Sequence, residues 1–126
     1  MEVRPMPSVQ SEAPAQAHQT PTTHDPNGYC PRFHYAAELL GRRWTGAIIR
    51  ELTGGARRFN ELLTSIPGLS DRLLCERLRE LEGAHIVDRD VETGPPVRVS
   101  YALTKAGREL EPVLKAIAAW AERWVR

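Results

Sequence analysis

The sequence predicts a mainly α-helical fold with a small β-hairpin, an α+β class. Between Pro31 and Glu82, apolar residues recur at the helical period of about 3.6 residues. From Ile86 to Leu103 the apolar period changes to two, which is typical of strands, and after Thr104 a helical period returns. This order of patterns predicts several helices, then a hairpin, then a final helix.

The first 28 residues differ in composition from the rest of the 126-residue chain. They hold five of the ten prolines and contain no Leu, Ile, Phe, Trp or Tyr. Such a segment cannot bury enough apolar surface to offset the entropy lost on ordering it. We therefore predict a disordered tail over residues 1–28 and one folded domain over residues 29–126.

The composition excludes several classes of protein. No run is apolar and long enough for a transmembrane helix, and the tail lacks the apolar core of a secretory signal. Two cysteines are too few for a secreted disulfide framework, so we expect a cytoplasmic protein with no membrane partner. One basic and three acidic residues lie in the tail, which leaves 16 basic and 13 acidic residues in the domain. A domain charge of about +3 is a weak indication of a polyanionic partner.

Two helices are predicted before residue 56. The first has Cys30 at the cap position, Pro31 in the favoured first turn and Gly41 as its stop. The second ends at the pair Gly54-Gly55. Its apolar residues at helical spacing are Trp44, Ile48, Ile49 and Leu52.

The next two helices are separated by a very short turn. The apolar residues of the earlier one are spaced i, i+3, i+4 and i+7: Phe59, Leu62, Leu63 and Ile66. Pro67-Gly68-Leu69 follows, and Ser70 is a favoured N-cap for the later helix. Two amphipathic helices joined in this way are the signature of a helix-turn-helix, although structural helix pairs share it.

The hairpin and the last helix complete the order. In the first strand Val87, Arg89 and Val91 alternate with Asp88 and Asp90, and in the second Val97, Val99, Tyr101 and Leu103 alternate with Arg98, Ser100 and Ala102. Residues 92–96 have turn chemistry, and Thr104 is a suitable cap for a single final helix, which Pro112 is expected to bend. The complete order is that of a winged helix-turn-helix domain with an additional C-terminal helix.

The later helix of the helix-turn-helix, residues 70–82, has two distinct sides. Its leucines at positions 74, 78 and 81 cluster on one side. A polar set clusters opposite them, and with the cap Ser70 it comprises Arg72, Cys75, Glu76 and Arg79. Two interpretations stay open: a solvated face held by i,i+4 charge pairs, or a face that reads base edges in the DNA major groove.

Basic residues at two further places favour the DNA interpretation. Arg98 follows the turn of the hairpin, where an arginine suits a narrow minor groove or a phosphate. Arg57 and Arg58 precede a helix start, where they and the backbone amides can bind phosphate, or where they simply form a solvated cap. Basic residues at three separate places on one architecture make double-stranded DNA the expected partner.

The last helix has more apolar surface than one contact within a small domain needs. Leu110 and Leu114 are expected to pack on the same domain. The remaining apolar surface of this helix is expected to pack against a second copy of the chain in a homodimer. Its residues are Val113, Ile117, Trp120 and Trp124.

Short motifs in one order carry a resemblance to a known family. They are Cys30-Pro31, Gly41 with Arg43-Trp44-Thr45, Arg50-Glu51-Leu52, Arg57-Arg58-Phe59-Asn60-Glu61-Leu62, Pro67-Gly68-Leu69-Ser70, Arg77-Leu78-Arg79-Glu80-Leu81 and Tyr101-Ala102-Leu103-Thr104 with Gly107. Over residues 29–125 the chain closely resembles the HxlR family of bacterial transcriptional regulators, relatives of the MarR group. The resemblance implies a homodimeric winged helix with the second motif helix in the major groove and the wing on the adjacent minor groove. The residues that it implicates in DNA binding are Arg58, Ser70, Arg72, Cys75, Glu76, Arg79 and Arg98.

The chain departs from the family pattern at two places. Asp71 and Glu76 are acidic where relatives often carry amides, and a carboxylate can accept a hydrogen bond from cytosine N4. In the wing, Glu92-Thr93-Gly94 stands where relatives often have an aromatic residue and a proline. The first departure predicts a different operator sequence, and the second falls on the residues that would make the wing contacts.

Cys30 is the candidate sensor. A thiolate at a helix start beside Arg32 would be stabilised by the helix dipole and a neighbouring cation. Some relatives in the HxlR family sense electrophiles or oxidants at this Cys-Pro position. A partly buried cap cysteine without sensing chemistry is an equally open interpretation.

No enzyme, metal or cofactor constellation is found in the sequence. Cys30 and His34 could supply two metal ligands, but no third or fourth lies near them. We therefore expect a non-enzymatic, dimeric regulator on a pseudo-palindromic DNA site, with a small-molecule or electrophile effector allowed. The alternative is a winged-helix module that dimerises or binds protein without a DNA role.

Overall fold

The computed structural model describes residues 28–126. The predicted disorder of the tail therefore lies, apart from Gly28, outside the described residues. The chain divides after Gly41 into two compact units. The described part of the first unit contains helix α1, Pro31–Leu40. Its N-cap is Cys30, Pro31 starts the helix and Gly41 ends it, which confirms the predicted boundaries.

The second unit contains the remaining elements in the predicted order of helices, strands and helix. They are α2 Thr45–Leu52, β1 Arg57–Arg58, α3 Phe59–Ser65, α4 Asp71–Gly83, β2 Val87–Glu92, β3 Arg98–Leu103, α5 Lys105–Arg108 and α6 Glu111–Trp124. The predicted mainly α fold with a β-hairpin is confirmed. No helix in residues 28–126 is both long and apolar enough to cross a bilayer.

The apolar sides of α2, α3 and α4 form the core of the second unit. Side chains with no more than 2% of their surface exposed come from all three helices: Ile48, Ile49, Leu52, Leu62, Leu74, Leu78 and Leu81. Burial of apolar surface on this scale is the main force that holds such helices together. The helical period found in the sequence therefore identified the core residues correctly.

The sheet has three antiparallel strands in the order β1-β3-β2, one more than the predicted hairpin. Strands β2 and β3 pair from Val87 opposite Leu103 to Glu92 opposite Arg98. The additional strand, β1, consists of Arg57 and Arg58 and pairs with the edge of β3 that β2 does not occupy. These two residues were expected to precede a helix, as phosphate contacts or as a solvated cap, and not to form a strand, because a two-residue strand has no periodicity to reveal it.

The prediction of one bent C-terminal helix is wrong, because the segment forms two helices. Thr104 caps the short α5 as expected, with its Oγ1 accepting from the Gly107 amide at 3.0 Å. The Leu110 amide donates to the Gly107 carbonyl, which closes α5 with a tight turn. Helix α6 then restarts so that Pro112 lies in its first turn, where no amide donor is required.

Gly107 allows α5 to lie directly against the start of the hairpin. A Cβ at this position would overlap the Ile86 carbonyl oxygen and come within 3.0 Å of Leu103 Cδ2. Thr104 strengthens the same junction, since its hydroxyl donates to the His85 carbonyl at 2.8 Å. The wing and the C-terminal helices are therefore joined through a backbone contact that a larger residue would break.

Candidate nucleic-acid interface

The start of α4 is fixed by its cap and by the turn before it. The Ser70 Oγ accepts from the Leu73 amide at 3.1 Å, as the N-cap prediction required. In the turn, Gly68 has φ 90°, and a Cβ there would lie 3.2 Å from the ring of Trp44. Trp44 itself has φ 76°, an uncommon value for a non-glycine residue, and it directly precedes α2. The turn therefore sets where α4 begins relative to α2.

The two predicted sides of α4 are present. Leu74, Leu78 and Leu81 are buried, and the opposite side of the helix faces solvent. The Arg72 side chain is 87% exposed, Arg79 is exposed, and Cys75 and Glu76 are half-buried. An exposed side with an arginine near the N-terminus of a helix is the geometry required for reading the major groove.

The charge pairing expected from the solvated-face interpretation is present as well. Arg72 Nε lies 3.7 Å from Glu76 Oε2, an i,i+4 pair. An exposed pair of this kind stabilises a protein by only about 0–1 kcal/mol. It engages the Nε of Arg72, so the two Nη groups remain for a base edge. The two interpretations of this face are therefore compatible.

Arg58 and Arg98 lie on one face of the sheet. Arg58 is opposite Ser100 in the register, and Arg98 lies two residues from Ser100 along β3. Because side chains alternate between the faces of a strand, Arg58, Ser100 and Arg98 share a face. Acidic residues of β2, Asp90 and Glu92, are opposite Ser100 and Arg98 on that face, so the basic charge is confined to β1 and β3.

Arg57 and Arg58 differ although they are neighbours. Arg57 points to the other face of the sheet, is half-buried, and places its Nη2 3.4 Å from Glu51 Oε1. The backbone amide of Arg58 donates to Glu61 Oε1 at 2.8 Å, while its side chain is exposed. Within residues 28–126 the side chains of Arg58, Arg79 and Arg98 have no carboxylate partner. Their guanidinium groups can therefore bind an external anion without first breaking an ion pair.

A buried arginine on α4 was missed by the sequence analysis. Arg77 is only 8% exposed, its Nε donates to the Arg43 carbonyl at 2.9 Å, and its Nη1 donates to Glu80 Oε2 at 3.2 Å. Arg42 Nη2 lies 3.1 Å from the same carboxylate oxygen. At 100° per residue, position 77 lies at the border of the leucine side, where helical spacing does not decide burial.

The exposed side of α6 carries the residues expected at a dimer interface. Val113, Ile117, Trp120 and Trp124 are between 42% and 61% exposed, whereas Leu114 is buried as expected. Arg123 places its guanidinium carbon 5.2 Å from the ring centre of Trp124. Four large apolar side chains spaced at four, three and four residues form a continuous unburied stripe.

The surroundings of Cys30 are those of a helix start. Its thiol is free and half-buried, and its carbonyl accepts from the His34 amide at 2.9 Å. The His34 ring lies 5.7 Å from the ring of Tyr29, and its Nε2 lies 3.4 Å from Glu38 Oε2. Further along α1, burial raises the pKa of the Tyr35 hydroxyl, so this group is neutral near pH 7.

No three His, Cys, Asp or Glu side chains of residues 28–126 come together as a metal site.

A groove of about 610 Å³ lies between α2, the residues before the Gly68 turn and α6. Arg50, Ile66, Leu114, Lys115 and Glu122 are among its lining residues. Its volume is in the range of small-molecule sites.

Comparison with known proteins finds helix-turn-helix transcriptional regulators. The model of the HxlR-like helix-turn-helix family matches residues 39–126. The uncharacterized HTH-type transcriptional regulator YvaP of Bacillus subtilis is 45% identical over 96 residues, which cover 76% of this chain and 89% of YvaP. The HTH-type transcriptional regulator YodB of the same organism is 44% identical over 98 residues, covering 78% of this chain and 88% of YodB.

Solved structures show the same fold. The reduced form of YodB superposes with a TM-score of 0.72 at 43% identity, covering 78% of this chain and 96% of that one. The redox regulator HypR in its reduced form gives 0.69 at 35% identity, covering 73% and 91%. YodB has also been solved after diamide treatment and with a bound quinone.

Proposed function

Because the chain belongs to the HxlR-like helix-turn-helix family of transcriptional regulators, we propose that it binds double-stranded DNA as a homodimer and so controls transcription. The observation that carries this proposal is the solvent-facing side of α4, with Arg72 exposed beside a well-capped N-terminus and Arg79 exposed about two turns further along. A protein that acts on the chromosome works in the cytoplasm, where we place it. No catalytic role is proposed.

The proposed contacts divide into base reading and phosphate binding. In the major groove, Arg72 and Arg79 reach guanine O6 and N7, while Cys75 and Glu76 lie between them for shorter contacts. The Ser70 hydroxyl oxygen is used in capping, and its proton remains for a phosphate oxygen. Arg58 and Arg98 bind phosphate or the minor groove from their common face of the sheet, and Arg57 contributes less because it is paired with Glu51.

The proposed dimer joins two α6 stripes, Val113, Ile117, Trp120 and Trp124, across a two-fold axis. Two copies of α4 then read a pseudo-palindromic site with half-sites about one helical turn apart, roughly 34 Å. A small-molecule effector in the groove beside α6 would touch the residues just before the α4 turn, which makes it a candidate control site.

Electrophoretic mobility shift tests the DNA proposal. The probe is the DNA upstream of the protein's own gene, with a scrambled duplex as competitor and salt varied between lanes. We expect specific binding that weakens as salt rises and is strongly reduced in Arg72→Ala. Absence of binding at low salt would contradict the proposal and favour a module that binds only protein.

We further propose that thiol modification at Cys30 controls the binding. This proposal is supported by similar proteins: YodB has been solved after diamide treatment and with a bound quinone, and HypR is a redox regulator. The Cys30 thiolate would add to a ring carbon of a quinone, so that an S–C bond forms and a ring C=C π bond breaks. One quinone oxygen takes the proton lost by the thiol and the other takes the proton of the attacked carbon, which gives a hydroquinone thioether. Such an adduct at the cap would disturb the first turn of α1, and the proposal is that operator affinity changes with it.

The sensor proposal is tested by treating the protein with diamide or benzoquinone before measuring operator affinity. We expect a change in the wild type, the same change in Cys75→Ser, and none in Cys30→Ser. A change that persists without the Cys30 thiol, or an unchanged wild type, would rule the sensor out.

A further inference from the structure

A line of alternating charges runs from the segment before α2 to the reading side of α4. Arg42 Nη2 lies 3.1 Å from Glu80 Oε2, which lies 3.2 Å from Arg77 Nη1. The same Arg77 nitrogen lies 3.7 Å from Glu76 Oε1, and Glu76 Oε2 lies 3.7 Å from Arg72 Nε. The line therefore begins at the partly buried Arg42 and Glu80, 31% and 34% exposed, and ends at Arg72, whose side chain is 87% exposed.

Arg77 is the buried member of this line. Only 8% of the residue is exposed, so it cannot reach a base from its position beside the leucines. Its Nε donates to the Arg43 carbonyl at 2.9 Å, and its Nη1 donates to Glu80. A planar guanidinium held through two nitrogens has one orientation, which a lysine ammonium at the same place would not have.

Glu76 is the link between the fixed and the exposed arginine. Its two carboxylate oxygens face different partners, Oε1 towards Arg77 and Oε2 towards Arg72. A glutamine has one acceptor oxygen, and its amide nitrogen would face a guanidinium that can only donate. This gives a physical reason for an acid at position 76.

These ion pairs contribute little to the stability of the fold that apolar packing could not supply. Within residues 28–126, Arg42 Nε and Glu80 Oε1 are buried without a hydrogen-bond partner, and such groups cost free energy. Buried ion pairs are weak evidence for stability, since apolar residues of similar volume often stabilise as well or better. An arrangement of this kind is better explained by a requirement for a defined orientation.

We infer that Arg77 is a positioning residue that acts through Glu76 to orient Arg72, and thereby sets the base that Arg72 prefers. The inference rests on the proposed DNA-binding function. It makes specificity depend on a residue that touches no DNA. It also predicts that Arg77 and Arg72 are energetically coupled in operator binding but not in non-specific binding.

A double-mutant cycle tests the coupling. The probe is the most enriched duplex selected by the wild-type protein from a random-sequence library, with a scrambled duplex of equal length as the non-specific probe. Arg77→Lys is measured in the wild-type and the Arg72→Ala backgrounds. Arg79→Lys, an exposed residue outside the line, is the matched control.

In the wild-type background, we expect Arg77→Lys to weaken operator binding about tenfold and to leave binding to the scrambled duplex within about twofold. In the Arg72→Ala background we expect the effect of Arg77→Lys on the operator to fall below about twofold. Arg79→Lys should give the same fold loss in both backgrounds. An equal loss for Arg77→Lys in both backgrounds would overturn the inference.

A second variant covers the case in which Arg77→Lys does not fold, as judged by its circular dichroism. Glu76→Gln changes a half-exposed side chain. Repeating the selection with it should flatten the preference at the base position that Arg72→Ala flattens, in addition to any change at a base that Glu76 itself contacts. An unchanged preference at that position would overturn the inference. If the wild-type protein selects no sequence at all, both the inference and the proposed function fail. If it selects one that depends on Arg72 without coupling to Arg77, only the inference fails.

Discussion

Replacement of Trp120 by alanine should break the proposed homodimer. Trp120 is 61% exposed in the single chain. With about 250 Å² for a tryptophan, this leaves roughly 150 Å² to be covered by a partner. At about 25 cal/mol per Å², complete coverage stabilises the dimer by roughly 4 kcal/mol per protomer.

The measurable loss will be smaller than this area estimate. Alanine keeps part of the contact, and interface area converts to affinity with losses from ordered side chains and imperfect packing. Half the value, about 2 kcal/mol per protomer, is a reasonable expectation. A two-fold interface loses both copies, so the dimer dissociation constant should rise roughly a thousandfold for about 4 kcal/mol.

Sedimentation equilibrium of the full chain over a range of concentrations measures this constant. The matched control is Val97→Ala, because Val97 is 65% exposed but belongs to the connection between β2 and β3, outside the α6 stripe. It should leave dimerisation unchanged. If Trp120→Ala and wild type have the same dimer constant, the α6 stripe is not the interface and the reasoning is refuted.

Two further predictions concern stability and are read from urea unfolding. Gly107→Ala should destabilise the protein by about 1–3 kcal/mol or more, because the added Cβ overlaps the Ile86 carbonyl. The control Gly83→Ala adds its Cβ in open space and should be neutral or stabilise by up to about 1 kcal/mol. Equal effects of the two variants would contradict the close approach of α5 to the hairpin. Leu78→Ala, at 1% exposed, should cost about 2–5 kcal/mol, while Arg79→Ala beside it should stay within about 0.5 kcal/mol; a small loss at Leu78 would mean that α4 is not docked through its leucines.

The sequence was sufficient for features that depend on local chemistry and periodicity. Ser70 as the cap of α4, the buried leucines 74, 78 and 81, and the β2–β3 hairpin all follow from short-range rules, and the structure has them in place. The exposed arginines 72 and 79 follow from the same helical geometry, since a helix that buries its leucines must expose the opposite side.

Features that depend on contacts distant in sequence could not be predicted. The strand at Arg57–Arg58 exists because β3, about 40 residues later, offers it a hydrogen-bonding edge. The burial of Arg77 depends on the Arg43 carbonyl, 34 residues earlier, and nothing in helical spacing reveals that partner. The division of the C-terminal segment into α5 and α6 reflects the backbone contact at Gly107 as well as Pro112.

The salt dependence of operator affinity tests the central claim most directly. Each phosphate neutralised by a protein cation contributes about −0.9 to the slope of log K against log salt, so a dimeric DNA reader should show a steep negative slope. Arg58→Ala should make that slope shallower by about two, since each dimer loses two phosphate contacts and the protein otherwise stays folded. Binding that is absent at low salt, or whose slope is near zero and unaltered by Arg58→Ala, would contradict DNA recognition by this surface.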